Sequence, residues 1–132
     1  MQNYTYKFRY KSGFTLIEIL VVLAIIATLL SLVTPRYFNS IDKSKEIILK
    51  HDLVTMREAL DKFYSDKNVY PEMLNDLVQY KYLRAIPKDP MTDSAATWLI
   101  ITPEKIDTKG AIYDVKSGSQ AISSEGNPYA DW

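Results

Sequence analysis

Gly13-Phe14-Thr15-Leu16-Ile17-Glu18-Ile19-Leu20-Val21-Val22-Leu23-Ala24-Ile25-Ile26-Ala27-Thr28-Leu29-Leu30-Ser31-Leu32-Val33-Thr34-Pro35 is the stretch on which the rest of the chain depends. No residue from Ile19 to Pro35 is charged. As a helix, residues 14–35 would extend roughly 33 Å, enough to cross a bilayer. Glu18 lies inside the apolar run. Near mid-membrane an ionised carboxylate costs roughly 2.5 to 3.5 kcal/mol, so a residue of this kind carries a functional expectation. Lys7, Arg9 and Lys11 precede the run without any acidic neighbour, and such an excess of positive charge keeps its end of a span in the cytoplasm. A secretory signal would have a shorter apolar core followed by a small-residue cleavage site. Here Ser31-Leu32-Val33-Thr34-Pro35 leads into a second helical pattern instead.

The 132 residues divide on this reading into a leader over 1–13, a transmembrane helix over 14–35, and a small outward-facing domain over 36–132 that includes the continuation of the helix. There is no cysteine, so no disulfide or thiolate metal site can form. The 16 basic and 16 acidic side chains balance; loss of the three basic leader residues leaves 13 against 16, a side-chain charge of −3. A nucleic-acid partner is not expected from such a balance.

Gly13-Phe14-Thr15-Leu16-Ile17-Glu18, at the cytoplasmic edge of the span, resembles the processing site of type IV prepilins and of the pseudopilins of type II secretion systems. The resemblance implies cleavage after Gly13 by a membrane peptidase and methylation of Phe14 as the new first residue. Glycine lets a peptidase approach the backbone closely. Cleavage also creates a cationic amine at the depth of Glu18, so that Glu18 of one subunit can pair with the Phe14 amine of a neighbour. The plainer alternative is a single-pass anchor whose Glu18 snorkels to the interface and favours the positive helix start.

Thr34-Pro35 is expected to bend or open the helix, because proline lacks an amide hydrogen and clashes with the preceding turn. By the resemblance, Pro35 also matches a proline that accompanies a melted stretch in assembled filaments. Beyond it, Leu49, Leu53, Met56, Leu60 and Phe63 recur at intervals of four and three, an amphipathic stripe that Ile41 and Ile48 extend toward the membrane. Glu58 and Lys62 form an i, i+4 pair on a polar face. An unbroken helix from Phe14 to Asn68 would reach roughly 82 Å. It is expected to stop near Asp66 to Asn68, before a turn at Asn68-Val69-Tyr70-Pro71 that resembles one found after the long helix of many pseudopilins. Pro71 suits the first position of a short helix carrying Leu74, Leu77 and Val78. The segment Tyr82 to Pro90, with Pro87 and Pro90, excludes a regular element and also resembles the family, with Met91 replacing its frequent aromatic. Strands are expected over Thr97 to Thr102 and Ala111 to Lys116, joined by Pro103 to Gly110, with Ala111, Tyr113 and Val115 on one face of the second. The tail from Ser117 to Trp132 is rich in Ser, Gly and Asn, yet ends in Tyr129 and Trp132, which a disordered tail would seldom carry.

His51 is the sole histidine and is expected on a polar helix face. Ser117-Gly118-Ser119 lacks the preceding glycine of a nucleophile elbow and reads as a turn. No phosphate loop is present, so catalysis is not expected and any energy source lies elsewhere. The fold class is α+β: a long N-terminal transmembrane and amphipathic helix packed by a small antiparallel sheet, the lollipop of the pilin-like proteins. The resemblance points to the major pseudopilin of type II secretion, a structural subunit of a periplasmic filament that drives protein export. Its implied partners are other pseudopilins, the prepilin peptidase and an inner-membrane assembly platform. A type IV pilin for adhesion, motility or DNA uptake is the alternative within the class; a non-polymerising membrane-anchored binding module is the alternative outside it. Major pseudopilins commonly hold calcium in a loop after the last strand, which implies a structural ion bound by Ser117, Ser119, Glu125 and Asp131, although Gln120 fills an expected acidic position. The competing expectation is a tail ordered without metal, by hydrogen bonds and the packing of Tyr129 and Trp132.

Overall fold

The computed structural model describes residues 1–2, 5, 12–105 and 107–132. The leader residues Lys7, Arg9 and Lys11, with their aromatic neighbours Tyr4, Tyr6, Phe8 and Tyr10, lie outside the described residues. Helix α1 spans Leu16–Lys67, followed by α2 at Leu74–Gln79, strands β1 at Leu99–Ile101 and β2 at Asp114–Lys116, and a closing 3-10 turn at Tyr129–Asp131. The chain forms two compact units, Met1–Phe38 and Asn39–Trp132.

In the first unit every described side chain from Ser12 to Phe38 is exposed, so no described residue buries the apolar run. This is one helix long and apolar enough to cross a membrane. The expected opening at Thr34-Pro35 does not occur; α1 remains helical through Pro35. One proline removes a single hydrogen bond of the ladder, whereas both flanking stretches keep theirs. The hydroxyls of Thr28, Ser31 and Thr34 turn back onto main-chain carbonyls of Ala24, Thr28 and Leu30 at 2.8, 2.7 and 2.7 Å, which hides their polarity along the helix.

In the second unit Leu49, Leu53, Met56, Leu60 and Phe63 are buried as the stripe requires, and Ala59 joins them. The stripe does not continue through Ile48, which is 49% exposed; the buried residue one step toward the amino end is Glu46. Spacings of three and four carry the stripe from Leu49 to residue 46, and Ile48 projects about 100° away. Glu58 and Lys62 do not form an ion pair; among the described residues the pairs are Lys50–Glu125 and Arg57–Asp114. The helix ends where expected. Asn68 adopts a positive φ of 55°, and its amide donates to Tyr64 O at 2.7 Å, the αL ending that asparagine tolerates.

Pro71 does not open α2, whose N-cap is Met73. It is buried, and its carbonyl accepts from the amides of Ala111 and Ile112 at 3.1 and 3.0 Å. Asp76 instead holds the start of α2, accepting from the amides of Glu72 and Met73 at 3.0 and 2.9 Å. The strands are shorter than expected and pair antiparallel, with Leu99 opposite Lys116, Ile100 opposite Val115 and Ile101 opposite Asp114. Ile112 and Val115 are buried while Tyr113 is exposed, which breaks the expected alternation. Residues 111 and 112 give their amides to Pro71 rather than to β1, so regular pleating begins only at Asp114. Trp98 precedes β1, lies in the core and donates its Nε1 to Pro87 O at 2.8 Å. Gly118 follows β2 so closely that an added Cβ would lie 2.0 Å from Thr97 O, which only glycine allows.

Candidate functional site

Residues 12–15 form no regular element, and α1 begins at Leu16. Gly13 stands in the open, with no heavy atom within 4 Å of where a Cβ would project, and the side chain of Phe14 is 85% exposed. Among the described residues, nothing crowds the backbone at Gly13. Immediately beyond, Thr15 and Glu18 cap the helix reciprocally. Glu18 N donates to Thr15 Oγ1 at 3.3 Å, while Glu18 Oε2 accepts from Thr15 N at 2.7 Å and from Thr15 Oγ1 at 3.0 Å. This is a capping box, in which two amides without helical partners are satisfied by each other's side chains. It also places the carboxylate at the positive end of the helix dipole. Oε1 takes no hydrogen bond from a described residue, so the carboxylate retains an acceptor for an incoming cation. The Thr-x-x-Glu spacing that signals such a box is legible at positions 15 and 18, but intramembrane charge alone does not reveal it.

The tail residues meet different partners. Ser117 is fully buried and donates its hydroxyl to Asp89 Oδ2 at 2.5 Å, and Asp89 Oδ1 accepts from Met91 N at 2.8 Å. Ser119 N donates to Ser117 Oγ, and Ala121 N to Ser119 Oγ, each at 3.2 Å. Glu125 pairs with Lys50 at 3.0 Å, and Asp131 is exposed in the closing turn. Ser117 and Ser119 are thus brought together, each within a local hydrogen-bonded turn, while Glu125 is bonded to helix α1.

Three further residues, all on α1, contact this region and carry no motif in the sequence. Glu46 accepts from Ser124 N and Ser124 Oγ, both at 2.6 Å, and from the Tyr129 hydroxyl at 2.9 Å. Arg57 donates from Nε to Asp114 Oδ1 at 2.7 Å, and from its second terminal nitrogen to the main-chain oxygens of Val115 and Trp132 at 3.1 and 2.7 Å. Lys50 Nζ lies 4.4 Å from the centre of the Trp132 ring. The Ser124 bonds hold the Glu46 carboxyl below its ordinary value. Burial, aided by Glu46, pushes the Tyr129 phenol up to about 12.

Residues 8–34 match the family described as the prokaryotic N-terminal methylation motif. The class is thereby defined: a pilin-like subunit with a long apolar N-terminal helix and a small α+β domain. The type II secretion system core protein G of Vibrio cholerae is 33% identical over 99 residues, covering 64% of this chain and 68% of that protein. The protein of the same name from Pseudomonas aeruginosa is 35% identical over 98 residues, 62% of this chain and 69% of that one. That of Klebsiella michiganensis is 28% identical over 136 aligned residues, 91% and 92% of the two chains. No solved structure matches. The chain belongs to the family of type II secretion system core protein G, a pseudopilin.

Proposed function

We propose that this chain is the repeating structural subunit of a periplasmic pseudopilus, polymerising through residues 14–35 to drive protein export by type II secretion. Glu18 carries this reading: it is the one carboxylate in an otherwise uncharged span, and its Oε1 accepts from no described residue. Prepilin peptidase cuts after Gly13, and Phe14 becomes the methylated first residue. The new amine of an incoming subunit then pairs with Glu18 of its neighbour, neutralising two charges that lipid would penalise separately. The span is anchored in the inner membrane with its start cytoplasmic, as the basic leader favours, and the Asn39–Trp132 unit faces the periplasm. An inner-membrane assembly platform is its partner in assembly, and the energy source lies elsewhere. The role is structural, in keeping with the family to which the chain belongs.

Mass spectrometry of the chain isolated from cells that hold the peptidase tests the first step. The expected mature chain begins at N-methylated Phe14, and Gly13→Leu leaves uncleaved precursor in the membrane. An amino terminus elsewhere overturns the processing step.

A further inference from the structure

The calcium ion implied by the resemblance to major pseudopilins needs six to eight oxygen ligands, several of them anionic. The described residues do not fit it. Glu125 is bonded to Lys50, the Ser117 hydroxyl to Asp89, and an exposed Gln120 stands where a carboxylate is expected. Among the described residues no three Asp, Glu, His or Cys side chains are grouped to hold a metal. Nor does any buried side-chain nitrogen or oxygen among these residues lack a partner, as an unmet ligand set would leave it.

The decisive feature is the polarity of the loop. A calcium loop turns oxygens inward, whereas here the Ser124 amide, the Ser124 hydroxyl and the Tyr129 hydroxyl all donate to one carboxylate, Glu46. Glu46 as a residue is only 7% exposed. Hydrogen bonds to an ionised acceptor are among the stronger ones in proteins, and three on one group satisfy most of its capacity. Farther along α1, Lys50 and Arg57 stand four and eleven residues beyond Glu46, on nearly the same side of the helix. Lys50 contacts Glu125 and the Trp132 ring, and Arg57 ties β2 to the main-chain oxygen of Trp132.

We infer that Glu46, Lys50 and Arg57 form a metal-independent clasp that holds residues 117–132 on α1, with Glu46 seated in a loop whose donors accept an anion. The tail is a strap fastened at both ends. Asp89 anchors its start through Ser117, and Arg57 holds its finish at Trp132. Glu46 fixes the middle.

Hydrogen exchange and thermal unfolding of the full chain in detergent micelles test this, with millimolar calcium chloride against excess EGTA. The melting temperature and the protection of residues 117–132 are expected to be the same in both. Glu46→Ala is expected to speed exchange at Ser124 and Tyr129 roughly tenfold or more, with Leu53 to Leu60 still protected. Should that variant fail to fold, Ser124→Ala and Tyr129→Phe each remove a single donor and are expected to loosen the same residues. A melting temperature raised by calcium, with the rise abolished by Glu125→Ala, overturns the clasp in favour of an ion. Parental exchange in all the foldable variants overturns it as well.

Discussion

Glu18 has two duties that compete for one carboxylate. In the isolated chain its Oε2 closes the capping box with Thr15, while pairing with a neighbour's amine would call on Oε1 or on a rotated side chain. Either way the charge sits at the helix start, where the dipole favours it. Glu18→Ala removes both interactions, yet it makes the span easier to insert. Insertion and assembly are therefore expected to separate: the alanine variant should resist alkaline extraction from membranes like the parent, while the yield of sheared filaments falls. Thr15→Ala keeps the carboxylate and the amide bond to it and removes only the hydroxyl, a loss of about 1 kcal/mol of helix capping. Its assembly defect is expected to be the smaller of the two. Equal filament yields for Glu18→Ala and the parent would leave Glu18 as a helix cap and nothing more.

At the scale of elements, α1 divides into a stretch whose side chains are all exposed and one whose buried stripe organises a domain. The stripe from Leu49 to Phe63 was legible because its period needs no long-range information. Leu53→Ala, at a residue 1% exposed, is expected to destabilise the unassembled chain by roughly 2 to 5 kcal/mol, whereas Ile48→Ala, at 49%, stays within about 0.5 kcal/mol. Denaturant unfolding in detergent measures both, and similar losses would contradict the assigned helix face. Pattern alone misplaced Ile48 because a carboxylate, Glu46, occupies the next stripe position, and its burial makes sense only once Ser124 and Tyr129, some 80 residues away, are known to donate to it. The same limit explains Pro71 and β2. Proline at a helix start and alternation in a strand are local preferences, but the amides of Ala111 and Ile112 turn to Pro71 O, a partner no local rule identifies. The N-terminal methylation motif, by contrast, is contiguous in the sequence, and residues 8–34 match it as a unit.

Across the whole molecule, the groups that fasten the tail titrate at opposite ends of the pH range. The Ser124 hydroxyl and amide hold the Glu46 carboxyl below its ordinary 4.5, with smaller help from Tyr129 and Lys50 and with burial opposing. A carboxyl lowered in the native state stabilises fully above its ordinary value, and the contribution disappears as pH falls through the depressed one. Tyr129 behaves in reverse. Burial, then the Glu46 bond, then the charges of Glu46 and Asp42 push it from 10.0 to about 12, so its contribution is intact below pH 10 and fades as pH rises through 12. Other groups overlap each limb. Asp52 is raised by burial and by Asp89, which adds stability as pH falls and offsets part of the Glu46 loss. Tyr70, raised mainly by burial, and Tyr82, raised mainly by its bond to Asp66, also shift upward and add to the alkaline limb. Only differences between variants isolate the clasp. Glu46→Gln removes the charge at nearly constant shape, so melting temperatures in calcium-free detergent are expected to lie below the parent near neutral pH. The gap should close as pH falls through the depressed Glu46 value, where the parent's folded-state carboxyl becomes neutral. Tyr129→Phe should flatten part of the alkaline limb, leaving the remainder to Tyr70 and Tyr82. A Glu46→Gln gap that stays constant from neutral to acid pH would mean that the shape of this side chain, and not its charge, holds the tail.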